Sequence, residues 1–234
     1  MKKLKSLFSY FTKAELILWF CSLTVIINSF LLFDRKNYLT LIASLVGVSS
    51  LIFCAKGNPF GQVLMIIFSL IYGYISFGFA YYGEMITYLG MTLPMSVISL
   101  ISWLKNPYKG NKSVVKVNHI SKKEIPLIIL LSLAVTVIFF FILHFFGTAN
   151  LIPSTVSITT SFVAAYLTFR RSPFFALFYA MNDIVLIVLW ILATIEDISY
   201  ISVLICFTVF LVNDLYGFIN WQKMKKCQKF NSIS

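Results

Sequence analysis

This sequence is short of charge, and of acid most of all: 12% of its residues are charged, and only eight are Asp or Glu. A soluble domain needs a charged surface, and with 59% apolar residues there is too little polar material to make one, so a water-soluble fold is excluded. Histidine is nearly missing, with His119 in a polar connection and His144 at the end of an apolar run. The four cysteines, Cys21, Cys54, Cys206 and Cys227, are scattered, with no C-x-x-C pair. Neither a disulfide framework nor a metal site is supported. G-x-x-x-x-G-K-[ST], G-x-G-x-x-G, H-E-x-x-H and G-x-S-x-G do not occur, which removes ATP-driven transport by this chain alone and leaves no expected cofactor.

What the chain has instead is apolar length. Eight predominantly apolar runs, 15–33, 38–55, 59–82, 85–104, 125–145, 150–169, 174–195 and 199–222, are each about 20 residues long, enough to cross a ~30 Å hydrocarbon core. The longest polar connection, Lys105 to Glu124, holds six lysines and is too short for a soluble domain. Residues 1–13 put Leu4, Leu7, Phe8 and Phe11 at helical spacing among lysines, which suits a helix lying in the interface. A signal peptide is disfavoured, because the first run ends in SFLLFDRKN without a small-residue cleavage pattern.

The net charge of +11 is a matter of topology. If the N-terminus is cytoplasmic, 17 of the 19 Lys and Arg residues fall in cytoplasmic segments, only Arg35 and Lys36 lie outside, and Glu84, Glu196 and Asp197 sit in external turns. Both termini are therefore expected in the cytoplasm, with the positive charge facing anionic lipid rather than nucleic acid.

An internal repeat organises the runs. KGNPFG at 56–61 opens the third run and RRSPFF at 170–175 the seventh, each a basic residue, two further residues, then Pro-Phe, 114 positions apart. Glu84-Met85-Ile86-Thr87-Tyr88 matches Glu196-Asp197-Ile198-Ser199-Tyr200, and Ser102-Trp103-Leu104-Lys105 matches Asn220-Trp221-Gln222-Lys223. Three weak matches in one order at nearly one offset indicate duplication. The predicted architecture is all-α: eight transmembrane helices, with a 3+1+3 core of two parallel three-helix repeats and one extra N-terminal helix outside the pattern. The expected divisions are 1–37, 38–104, 105–148, 149–223 and a tail at 224–234.

Polar groups inside such runs are costly and mark function. Asn213, Tyr216 or Gly217, and Asn220 fall on one helical stripe, with Asn213 about half-way across the bilayer. Phe175, Phe178 and Asn182 share a face of the seventh run, with Trp190 one turn short of its outer end. Aromatic walls beside an amide suit a flat heteroaromatic ring carrying hydrogen-bonding groups. Asp183 and Asp214 are the acids well inside runs, and each must pair, protonate or meet a cation. The first repeat answers with milder groups, among them Gln62, Ser69 and Tyr72, while the hydroxyls of the sixth run read as helix-packing surface.

With YYGEMITYLGM, SWLKNPYKGNK, RRSPFFALFYAMNDIVLIVLW and VNDLYGFINWQKM, the core from about residue 38 to 223 resembles the PnuC family of bacterial vitamin transporters, best known for nicotinamide riboside. The resemblance implies a SWEET-like 3+1+3 core, facilitated diffusion, a homotrimer, and trapping of the vitamin by a cytosolic riboside kinase. The family's aromatic-then-Asn pattern, usually with tryptophan, corresponds to Phe175, Phe178 and Asn182, so thiamine, riboflavin and deoxynucleosides stand as alternative cargoes. A proton-coupled carrier using Asp183 or Asp214 is the second reading. A membrane enzyme is the third, and no nucleophile and base pair supports it.

Overall fold

The computed structural model describes residues 10–78, 82–148 and 150–231, so most of the amphipathic stretch expected at 1–13 lies outside the described residues. Eight helices are long and apolar enough to span a membrane: α1 (Lys13–Phe33), α2 (Tyr38–Ala55), α3 (Phe60–Gly78), α4 (Tyr82–Lys105), α5 (Ile125–Phe145), α6 (Leu151–Phe169), α7 (Phe175–Glu196) and α8 (Ile201–Phe230). The chain is thus a multi-pass membrane protein, as its apolar runs predict.

Local chemistry sets the helix ends. Thr12 and Glu15 form a reciprocal capping box at α1, the Glu15 amide donating to Thr12 Oγ1 at 3.3 Å and the Thr12 amide donating to Glu15 Oε2 at 2.7 Å. Helices α2 and α6 end alike. Gly57 (φ 67°) and Arg171 (φ 57°) take the left-handed conformation, and the amides of Asn58 and Ser172 reach back to Phe53 and Leu167 carbonyls at 3.0 and 2.9 Å. Pro59 and Pro173 then open the next helices, where a missing N–H costs little.

Two elements differ from the sequence reading. Tyr82–Ile86, expected in part as an external turn, already belongs to α4, and it runs into a π-helical segment at Thr87–Thr92 before α-helix resumes at Leu93. The lysine-rich connection holds a hairpin, β1 (Pro107–Tyr108) antiparallel to β2 (Asn111–Val115), closed by Lys109 and Gly110 at φ 49° and 78°. Positive φ at both turn residues is the mirror-image turn that suits strand twist, and glycine adopts it without strain.

The helices of each unit interlock with the other unit. Helix α2 packs on α8 and α4 on α6, so the first helix of each unit meets the last of the other. Four hydrogen bonds join them in reciprocal positions: Trp103 Nε1 to the Thr168 carbonyl and Trp221 Nε1 to the Cys54 carbonyl, both 2.8 Å, with Ser102 Oγ to Phe169 and Asn220 Nδ2 to Ala55, also 2.8 Å. The acceptors at 54 and 55 match those at 168 and 169 at the repeat offset of 114.

Helices α1 and α5 carry matching ionic anchors. Glu15 on α1 pairs with Lys56 at 2.8 Å, and Glu124 at the start of α5 receives Arg170 Nη2 at 2.8 Å. Since Lys56 and Arg170 are equivalent caps, α1 and α5 anchor to corresponding ends of the two units.

Candidate substrate site

The acids inside the membrane come together. Helices α7 and α8 make the most extensive helix contact in the molecule, and across it the Asp183 and Asp214 carboxyl groups face each other within hydrogen-bonding reach. They are 4% and 5% exposed. No donor reaches Asp183 Oδ2, and Asn213 Oδ1, one residue from Asp214, is likewise buried without a partner. Tyr88 and Cys206 lie near Asp183, and Cys54 and Tyr179 near Asp214; none of these is a cation. A lone buried charge here costs roughly 2.5 to 3.5 kcal/mol, so the pair is a feature the fold maintains against a penalty.

Between the acids and the face bearing Glu84 and Glu196 lies an aromatic cluster drawn from both repeats. Trp190 stacks on Phe207 with centroids 6.3 Å apart and planes 13° apart. Phe207 meets Phe210 at 5.8 Å, Phe210 meets Phe68 at 6.2 Å, and Tyr72 meets Tyr88 at 4.5 Å. Tyr88 stands in the π-helical segment, whose wider turn breaks the register of α4. Above these rings, Asp34, Asn37, Tyr72, Ser76, Glu84 and Trp190 line a cavity of about 60 Å³. That is room for one or two waters, well below the roughly 300 Å³ of the smallest ligand pockets.

The opposite, lysine-rich end is closed. Trp103 and Trp221 are fully buried with ring centroids 5.5 Å apart, and Phe175 meets Trp221 edge-on at 4.9 Å. The hairpin lies across this end: the Val115 amide donates to the Gly57 carbonyl, the Asn118 amide to that of Arg171, and Gln228 of α8 bonds to both Val115 and Val117.

Of the residues singled out in the sequence, Trp190 and Tyr72 line the small cavity, and Asp183 and Asp214 form the buried acid pair beyond the aromatic cluster. The two amides point apart rather than together. Asn182 accepts from Thr160 on α6 at 2.9 Å, while Asn213 donates to Ser22 on α1 at 2.9 Å. Their helices are direct neighbours, and it is the acids that meet between them. Phe175 is enclosed in the tryptophan cluster with Phe178 packed against it, and Gln62 donates to Cys54 Sγ at 3.2 Å. The stripe on α8 serves packing at its lower end: Asn220 ties to Ala55, Tyr216 reaches Thr12 and Glu15, and Gly217 sits against Ala55 and Ala176, which leaves no open groove there. Sequence reasoning missed Tyr88, Phe207 and Phe210, which are aromatic like dozens of others in the chain. The E-x-I-[ST]-Y match, which ends on Tyr88 and Tyr200, pointed to Tyr88, and no signal pointed to Phe207 or Phe210.

The profile of the nicotinamide mononucleotide transporters matches residues 37–223. Among curated proteins, the nicotinamide riboside transporter PnuC of Neisseria mucosa is 27% identical over 199 residues, covering 83% of this chain and 75% of its own length. The PnuC of Haemophilus influenzae is 25% identical over 193 residues, 81% of each chain. A crystal structure of the vitamin B3 transporter PnuC aligns with a TM-score of 0.79 at 24% identity, over 93% of this chain and 94% of that one. A profile that takes in seven of the eight spanning helices, on a bundle shared with a solved transporter, puts this chain in the nicotinamide mononucleotide transporter family.

Proposed function

We propose that this transporter carries nicotinamide riboside, the unphosphorylated vitamin B3 nucleoside, by facilitated diffusion with alternating access. The observation that carries the choice of cargo is the acid pair set against aromatic rings, with no lysine or arginine in the middle of any described helix. A pyridinium ring is flat and cationic, so it gains from both the rings and the carboxylates. A phosphate brings up to two negative charges to the same carboxylates with no cationic partner, which argues for the riboside over its mononucleotide. The two curated relatives are named as riboside transporters, in accord with this reading.

Alternating access is supported by the asymmetry of the two ends. The acidic face retains a small cavity while tryptophans and the hairpin seal the lysine-rich face, and the site must widen to admit a vitamin. Repeat units that interlock through matched helices are suited to rocking against each other. Asn182 and Asn213 contact the cargo by exchanging their bonds to Thr160 and Ser22 for its hydroxyls or carboxamide. In the cell a cytosolic riboside kinase traps the product, and the chain assembles as a homotrimer. The test is a binding screen of purified protein against nicotinamide riboside, nicotinamide mononucleotide, thiamine, riboflavin and nucleosides. Preference for the riboside is the expected result, and preference for any other member overturns the assignment.

A further inference from the structure

We infer that Asp183 and Asp214 form one exchangeable-proton site, and that the cationic ring of the cargo takes the place of the proton, so that binding releases up to one proton per cargo molecule. The inference rests on the cargo assignment above and concerns how the same site handles charge. Two ionised carboxylates in contact repel strongly in a low-dielectric interior, and a proton held between them removes that repulsion. No donor reaches Asp183 Oδ2. The titratable groups electrostatically coupled to the pair are Tyr88 from α4, Tyr179 from α7, Cys206 from α8 and Cys54 from α2, so among the described residues no side-chain cation neutralises it in the proton's place.

The neighbouring Asn213 Oδ1, 1% exposed and without a donor, is a second acceptor in want of a partner. Two unfilled acceptors beside a paired acid call for a ligand that brings both a positive charge and an N–H, which a pyridinium carboxamide does. The charges balance. Empty, the pair carries two carboxylates and one proton; loaded, it carries two carboxylates and one ring cation, and the proton goes to solvent. The centre of the membrane then holds the same net charge in both states, and with equal pH on the two sides the exchanged proton supplies no driving force, so the riboside still moves by facilitated diffusion.

The experiment is titration calorimetry of the purified full-length protein with nicotinamide riboside, in buffers of different ionisation enthalpy and over a range of pH. The neutral reduced riboside, which keeps the carboxamide and the hydroxyls, is titrated alongside. The expected result is a buffer-dependent heat approaching one proton released per riboside, with affinity rising up to about tenfold per pH unit while the pair is protonated. The reduced riboside should release none, and Asp183→Asn and Asp214→Asn should abolish the release. Riboside binding with the same heat in every buffer and no pH dependence overturns the inference and leaves the cargo assignment intact. No riboside binding by the wild type overturns both. Should the variants fail to fold, the cationic and neutral ligands on the wild type decide the matter alone.

Discussion

Asn182 and Asn213 each stand one residue before an acid of the central pair, but their neighbours give them different structural duties. Thr160, which donates to Asn182, also has backbone acceptors at Ser157 and Val156, 3.0 and 3.1 Å away, so it loses little when the amide goes. Asn182→Leu is therefore expected to insert and fold normally while riboside affinity falls roughly 5- to 150-fold, the cost of about 1 to 3 kcal/mol for a lost buried partner. Unchanged affinity by calorimetry would remove Asn182 from the site. Asn213 holds Ser22 of α1 as well as its own helix, so Asn213→Leu should cost stability too, by about 0.6 to 1.7 kcal/mol, the range for interhelical hydrogen bonds in membranes. Thermal unfolding in detergent separates the variants: Asn213→Leu should melt below wild type and Asn182→Leu close to it.

The reciprocal clasp between repeats makes a prediction about elements. Trp103 and Trp221 each donate one indole bond to a carbonyl of the other repeat, so Trp103→Phe and Trp221→Phe should each lower stability by a similar amount, about 1 to 3 kcal/mol. Their rings touch, so the double variant should lose less than the sum. Strongly unequal single losses would show that the two repeats do not share the load. Gln228→Ala should free the hairpin from α8 and raise amide exchange at Val115 and Val117 without melting the bundle, and unchanged protection there would place the restraint elsewhere. The residues of this clasp stood out in the sequence only as a repeat, Ser-Trp against Asn-Trp and a basic residue before Pro-Phe, and that they bond across the units appeared with the fold. The matching anchors of α1 and α5 did not stand out, because Glu15 and Glu124 share nothing with their surroundings but a carboxylate. The hairpin was hidden by its lysines, which read as an ordinary polar connection. The π-helical segment leaves no mark in apolar periodicity over only six residues. Depth along each helix could be counted from its ends, which placed both acids near the middle. Rotation about the axis could not, so their meeting, and the turning apart of the two amides, appeared only with the fold.

At the scale of the whole molecule, charge fixes orientation and the core fixes cargo. The sequence assigns 17 of 19 cations to segments on one side, so both termini should be cytoplasmic and the ends of helices near Glu84 and Glu196 external. Single cysteines at those two positions, in a cysteine-free background, should react with an impermeant reagent applied outside, whereas labelling only from within would reverse the topology. The central claim is that a core of paired acids and aromatic rings passes a cationic nucleoside and rejects its phosphate ester. The measurement that tests it most directly is uptake of labelled nicotinamide riboside and nicotinamide mononucleotide into vesicles reconstituted with the purified protein, with and without an imposed proton gradient. The account predicts that the riboside equilibrates across the membrane, with no accumulation in the absence of a gradient, and that the mononucleotide stays near the level of protein-free vesicles. Mononucleotide uptake at a rate like that of the riboside, or riboside uptake only when a proton gradient is applied, would contradict it.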